Sequence, residues 1–537
     1  MTRARALVAA LVVGLVSACS GSTTPASTEP SSGGTITFAT DQQPDCLDPQ
    51  VSARDVVDLI DRNMFDSLVK LTPDGKFHPW LAQRWEISAD GLAYTFHLRR
   101  GVTFHDGTPL NAAAVKATMD HAVDPHTESR YADNLISGYT GATVVDDSTV
   151  TLRLSRPSAP FLQALSTAYL GIQSPKSMTD DAAGLCDKPV GSGPFQFVKW
   201  DKNTSIEMKR NPKYDWGPAT ADHTGPAHLN GLTIKFVTED TVRFGALGSG
   251  QVDVITGVPA GKFATLRSDS NLQHLNAENP GAVYTVFLNT DNGPLTDEKV
   301  RLALRQSVDL DALVRSVYSG QYARAWSPLS PVTPYHDATL ANSWKYDPAK
   351  ANKLLDEAGW TKRDAQGYRT KDGKRLTLRW PHISDQERDQ RGLIAQGMQA
   401  QAKEVGFEIV YNTVDHGTLG EAVVNRQLDL FDVSFTRADP DILRYFFGTD
   451  STLDKDGGNI FGLAAADLNG WLIEGATSSD PNVRRRDYAQ AQRYLVTHAI
   501  ALPVYVQTSL VGAANKVHGL AWDAQAYPLF YDGWIAR

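Results

Sequence analysis

Beyond residue 18 the sequence has no apolar run long enough to cross a bilayer, which takes about 20 residues, so no membrane-spanning body is expected. It has no block of Lys or Arg. With 52 basic against 61 acidic residues and a formal charge of −9, it offers no basic stripe, and nucleic-acid binding is excluded. No Gly-x-Ser-x-Gly elbow and no His-Glu-x-x-His helix occur, and the 13 histidines show no His-x-x-x-His spacing. These gaps argue against an exported hydrolase and against metal ligation by the protein itself. No catalytic residue, metal site or cofactor is expected, and the chain reads as a non-enzyme. No internal repeat is visible.

Cysteine is scarce too: Cys19, Cys46 and Cys186 are the only three. The first lies in an informative place. Arg3 and Arg5 precede a stretch rich in Ala, Leu and Val that ends on Val16-Ser17-Ala18-Cys19. A charged start, a short apolar centre and small residues before a cut site describe an export signal, 1–18. The tetrapeptide resembles the bacterial lipobox, which implies a lipidated Cys19 at the start of the mature chain. Residues 19–33 are nearly all Ser, Thr, Gly, Pro and Ala, with Glu29 as the sole charge. Such a segment cannot bury enough apolar surface to fold and serves as a leash. The remainder is expected to be soluble, outside the cytoplasm, and held at the outer face of the membrane by acyl chains. There, in an oxidising compartment, Cys46 and Cys186 form an even pair, expected as a disulfide, with two free thiols as the alternative.

Over 500 residues exceed one ordinary core, so two or three domains are expected. Strand patterns at Thr35–Ala39, Trp80–Ile87, Ala93–Leu98, Thr149–Leu154, Leu232–Val237, Leu376–Trp380, Phe407–Asn412, Leu428–Phe435 and a last one at Leu502–Ser509 alternate with helical spacing. Helices are predicted over Val56–Leu68, from an Asn111 cap through His121, and over Asp297–Val308, Leu310–Ser319, Pro348–Ala358, Gln386–Val405 and Val483–Thr497. The alternation gives an α/β class.

Several local words then fall in one order: Leu71-Thr-Pro-Asp-Gly75, Pro79-Trp-Leu-Ala-Gln-Arg-Trp85, Leu98 to Pro109, Val190-Gly-Ser-Gly-Pro-Phe195, Arg210-Asn-Pro-Lys-Tyr214, Val300-Arg-Leu-Ala-Leu304 and Ala358-Gly-Trp360. The series resembles the family 5 extracellular solute-binding proteins, receptors of ABC importers for dipeptides, oligopeptides and nickel. On its own chemistry the Gly191-Ser-Gly193 stretch lacks phosphate-loop spacing, and the Arg210–Tyr214 word reads as a structural turn.

The resemblance implies a two-lobed clamshell of the class II periplasmic type with an extra subdomain. Lobe I would comprise 34–51, 190–284 and 507–537, with 52–189 inserted into it, and lobe II would run over 285–506. The chain would cross between lobes near Tyr284–Asn289 and again before the last strand. Closure about those crossings would trap a small peptide or similar solute for a membrane permease and its ATPase subunits, the receptor itself being a monomer. Receptors for a nickel chelate, haem or another anionic solute are the alternative.

Solute contacts are expected from loops at strand ends: Asp45 after the first strand, Tyr284 at the crossing, His382 and Ser384 after Leu376–Trp380, and Thr436, Arg437 and Asp439. In the family's peptide receptors an acid shortly before the Asp-Pro pair takes the peptide's ammonium. Here Thr436-Arg437-Ala438 stands in that place. Arg437 suits a carboxylate or phosphate, or else bridges to Asp439 or Asp441.

Overall fold

The computed structural model describes residues 29–383, 387–455 and 457–536. Its first sheet has seven strands, in the order Leu272–Glu278, Thr508–Ala514, Val254–Ile255, Thr35–Thr40, Gly231–Phe236, Ser205–Arg210 and Phe195–Asp201. Thr35–Thr40 sits in the middle, parallel to both of its neighbours. Its apolar side chains Ile36 and Phe38 are fully buried.

Between Thr40 and Phe195 the chain makes a four-stranded antiparallel sheet (Ala82–Ile87, Ala93–Leu98, Thr149–Leu154, Tyr139–Asp146) covered by the helix Ala112–Val123. The Asn111 side chain caps that helix by accepting from the Ala114 amide at 3.1 Å. Phe38 and Ile234 of the large sheet share one apolar core with Leu68, Phe96 and Val150 of this insert, which is therefore fused to its lobe. Cys46 and Cys186 join across the insert's base as a disulfide.

The predicted helix over Val56–Leu68 is shorter than expected, Asp55–Asp61. The carbonyls of Asn63 and Met64 leave the helix to accept from Phe195 (3.0 Å) and Gly193 (2.8 Å). That approach explains the Gly-Ser-Gly word: a Cβ at Gly193 would lie 2.6 Å from the Met64 carbonyl carbon. Beneath it Asp66, fully buried, accepts from Ser192 (2.8 Å), Trp216 (2.9 Å) and Tyr214 (3.0 Å). Burial pushes its carboxyl up to about 6 against those three donors. The words around 191–195 and 210–214 thus build one polar knot in the scaffold.

The second lobe centres on Gly281–Leu288, buried along its whole length, between the antiparallel strands Leu430–Thr436 and Ala501–Tyr505. Beside it the parallel pair Thr377–Ile383 and Glu408–Val414 is joined by the helix Arg391–Val405. The stretch predicted as one final strand, Leu502–Ser509, is instead two, Ala501–Tyr505 in the second lobe and Thr508–Ala514 in the first. One crossing is therefore Val506-Gln507. The other is Asn279-Pro280, ahead of the Tyr284–Asn289 stretch expected to carry it, because Tyr284 lies inside the second lobe's central strand. The Asn279 amide donates to the Gln507 carbonyl at 3.0 Å, so the two crossings run side by side.

Both described ends lie on the first lobe. The Ser31 hydroxyl donates to the Ile535 carbonyl at 2.6 Å, and Gly34 rests against the Ile535 side chain. No helix among the described residues is long and apolar enough to cross a membrane.

Candidate functional site

A cavity of about 670 Å³ opens between the lobes. Asp41, Arg54, Phe236 and Val258 line it from the first lobe and its insert; Tyr318, Tyr322, Arg388 and Asp389 line it from the second. Its volume suits a small organic solute.

The second-lobe wall is built by an unusual turn. Asp389 and Gln390 both take left-handed backbone conformations (φ 54° and 56°), which side chains other than glycine resist. That turn stops the predicted helix from starting at Gln386; it begins at Arg391. The strain is offset by bonding: Asp389 accepts from the hydroxyls of Tyr322 (2.9 Å) and Tyr505 (3.2 Å), and Tyr505 in turn accepts from Arg391 Nε at 3.2 Å. Arg388 is left reaching across the cleft, its Nη1 lying 3.4 Å from Asp55 of the insert. Sequence reading missed Arg388 and Asp389, because helical spacing continues through them and two non-glycine left-handed residues carry no local signal.

Most of the predicted contact residues serve the architecture instead. Tyr284 is fully buried: its hydroxyl donates to Asp432 at 2.9 Å, its ring stacks on Tyr505 with centroids 4.8 Å apart, and the Arg391 guanidinium lies 4.5 Å from its ring centre. It backs the cavity wall at one remove. His382, 2% exposed, stands between Asp432 and Glu387, each 3.2 Å away. Burial alone would lower its pKa, but bonding and charge from those two carboxylates outweigh it and raise the imidazole to about 9. Trp380 Nε1 also donates to Asp432 at 2.6 Å. His382 and Asp432 are thus buried behind the cavity, and Glu387, which lines it, connects them to its wall. Asp45 is exposed and accepts from Ser52 (2.6 Å) and Arg130 (3.1 Å), outside the cavity lining. Ser384 and Cys19 lie outside the described residues.

Thr436, Arg437 and Asp439 are buried where the insert meets the second lobe. Tyr131 of the insert packs there against Phe435, with centroids 5.1 Å apart, and against Tyr445 at 6.4 Å. Close by, the Ala159 amide donates to the Ala476 carbonyl at 2.8 Å, and Arg156 approaches Asp450 at 3.4 Å. The lobes are thus in contact along one seam while the cavity remains open near the crossings. Asp439 is held by Arg484 through both oxygens, at 2.8 and 2.9 Å. Among the described residues no group of three or more His, Cys, Asp or Glu is placed to hold a metal.

A two-lobed α/β body with paired crossings and an interlobe cavity is the architecture of a solute-binding protein, and comparison with known proteins agrees. The model of the bacterial extracellular solute-binding proteins, family 5 (middle region), matches residues 76–455, and the chain belongs to that family. It is 31% identical over 315 residues to the glutathione-binding protein GsiB of Salmonella choleraesuis, a match spanning 58% of this chain and 59% of that one. The fold matches NikA of Brucella suis in complex with Fe(III)-EDTA (TM-score 0.80, 25% identity, 92% of this chain and 98% of the other). It also matches the oligopeptide-binding protein AppA of Bacillus subtilis in complex with a nonapeptide (TM-score 0.81, 22% identity, 95% and 100%).

Proposed function

We propose that this chain is the extracytoplasmic receptor of an ABC importer, a binding protein without a catalytic step of its own. It captures a small peptide or peptide-like solute between its lobes and presents the closed complex to a membrane permease and its ATPase subunits. The observation that carries this reading is the pairing of a two-lobe cavity with two adjacent crossings, Asn279-Pro280 and Val506-Gln507. A hinge so built lets two rigid halves swing apart about one line and shut over a guest.

At about 670 Å³ the cavity holds a solute of two or three residues, and the glutathione named for the Salmonella relative is of that size. Its walls carry charges of both signs, Asp41 and Asp389 with Arg54 and Arg388, which suits a zwitterion. The exported, lipid-anchored and monomeric state expected from residues 1–33 belongs to the same proposal. In it Cys19 carries the lipid.

Native mass spectrometry of protein taken directly from its host tests capture. A trapped guest appears as added mass of di- or tripeptide size, and titration of the emptied protein with glutathione and short peptides gives saturable heat. No added mass and no heat with any of them would overturn the reading. Mass analysis of the mature N-terminus tests lipidation of Cys19.

A further inference from the structure

Among the described residues, five carboxylates and three guanidiniums line the interlobe cavity, a surplus of two negative charges. The layer behind them leaves that surplus unchanged, because Asp55 and Asp432 stand there against Arg391 and the His382 imidazolium. On the second-lobe wall the charges are matched. Glu387 faces His382 at 3.2 Å, Arg388 reaches Asp55, and Asp389 takes two tyrosine hydroxyls, one of which accepts from Arg391.

The surplus therefore sits on the first lobe, where Asp41, Glu239 and Asp240 gather around Arg243. Arg243 does not pair with them. Its Nε donates to the Thr256 carbonyl at 2.7 Å, its Nη1 to those of Val237 and Thr238 at 2.5 and 3.0 Å, and its Nη2 to that of Gly257 at 3.2 Å. None of the three acids meets a basic group within ion-pair distance among the described residues. On an open surface such acids would form a solvated face. Here they floor a cavity whose other wall carries Tyr318, 1% exposed, with a hydroxyl that has no partner. Tyr318 ends the helix Leu310–Tyr318, which packs against Ala260–Lys262 and brings its ring to the first-lobe side of the cavity. The ring of Tyr322, which also lines the cavity, stands 4.6 Å away between centroids. Aromatic rings and an unmet phenol oxygen facing unpaired carboxylates favour a cation with N–H donors.

We propose that the cleft selects a solute of net positive charge, its ammonium or guanidinium held between Asp41, Glu239 and Asp240 of the first lobe and Tyr318 of the second. This deepens the reading of the cleft as a solute chamber and rests on it. A zwitterion brings equal charges and leaves the surplus unmet, whereas a peptide with a basic side chain, or a free alkylamine, offsets it.

Wild type, the double variant Glu239→Gln/Asp240→Asn, and Tyr318→Phe, which breaks no bond of the protein itself, are compared in two arms. In the first, Ala-Lys, Ala-norleucine and Ala-Glu, alike in length and termini, are titrated calorimetrically. Wild type is expected to bind Ala-Lys about 10–100-fold more tightly than Ala-norleucine, by a ratio that shrinks as salt rises, and Ala-Glu least. The double variant should bring that ratio within about threefold, and Tyr318→Phe should lower it part of the way. In the second arm, melting is followed with 1,5-diaminopentane against sodium chloride at equal ionic strength. A rise in wild type that the double variant lacks, with no preference among the dipeptides, identifies a free alkylamine as the source. Equal binding of Ala-Lys and Ala-norleucine by wild type without that rise overturns the proposal and leaves the solute chamber standing, as does a preference that the double variant keeps in full. If no dipeptide binds and the diamine alone stabilises, the peptide reading falls and the charge assignment holds; if neither acts, both fall.

Discussion

The Asn279 amide donates to the Gln507 carbonyl at 3.0 Å, and this bond ties together the two segments that join the lobes. The Asn279 side chain adds two more contacts, donating to the Gln525 carbonyl (3.1 Å) and accepting from Ser509 (3.2 Å). Asn279→Ala keeps the backbone bond and strands buried partners. It is expected to cost about 1–3 kcal/mol in urea unfolding. It should also widen the distribution of lobe separations seen by small-angle scattering.

His382 sets a pH dependence. Its imidazole titrates at about 9 in the folded protein and at about 6.5 when unfolded. The folded state therefore holds a proton that the unfolded state has lost between those values. The stabilisation, roughly 3 kcal/mol, is fully present below about pH 6.5 and is lost as pH rises through about 9. Denaturation midpoints measured from pH 6 to 10 should fall across that window in wild type, and the fall should be absent in His382→Asn.

The Cys46–Cys186 bridge closes a span of 140 residues in sequence. Replacing both with Ala is expected to lower stability by about 2–5 kcal/mol, because the unfolded chain regains the freedom that the bridge removes. Adding a reductant to wild type should reproduce the loss in unfolding curves and leave the double variant unchanged.

Gly193 is required by a close approach rather than by its backbone angles. A methyl group there meets the Met64 carbonyl carbon at 2.6 Å and the Asn63 carbonyl oxygen at 2.8 Å. Gly193→Ala must push that turn away from the sheet, at an expected cost of about 1–3 kcal/mol read from the melting transition. Ser192→Ala, which removes one of three donors to Asp66, should cost less.

The scaffold was more legible than the site. Asn111 announces its helix, the alternation at Thr35–Ala39 announces the central strand, and the words around Gly191–Gly193 and Arg210–Tyr214 mark a region of unusual packing. Each of those signals is local. The Val56–Leu68 helix came out too long because Asn63 and Met64 bond to residues 130 positions later in the chain, which spacing does not reveal. Tyr284 and His382 have the chemistry of ligand groups, yet both bond to Asp432, and that partner comes from a strand about 50 residues beyond His382. Arg388 and Asp389 line the cavity only because two residues adopt left-handed turns, held by tyrosines from elsewhere in the lobe. Arg437 marks a departure that needs no fold to see, a cation where an ammonium site would want an acid, but its burial at the seam between insert and second lobe depends on Tyr131 and other residues far away in the chain.

The clasp between Ser31 and Ile535 also bears on mechanics. Any cord attached ahead of residue 29 pulls on the lobe that already gathers the chain's final strands, and its tension ends there. The opposite lobe carries no such load, so a receptor moored in this way can open and shut against its gate without straining its own mooring.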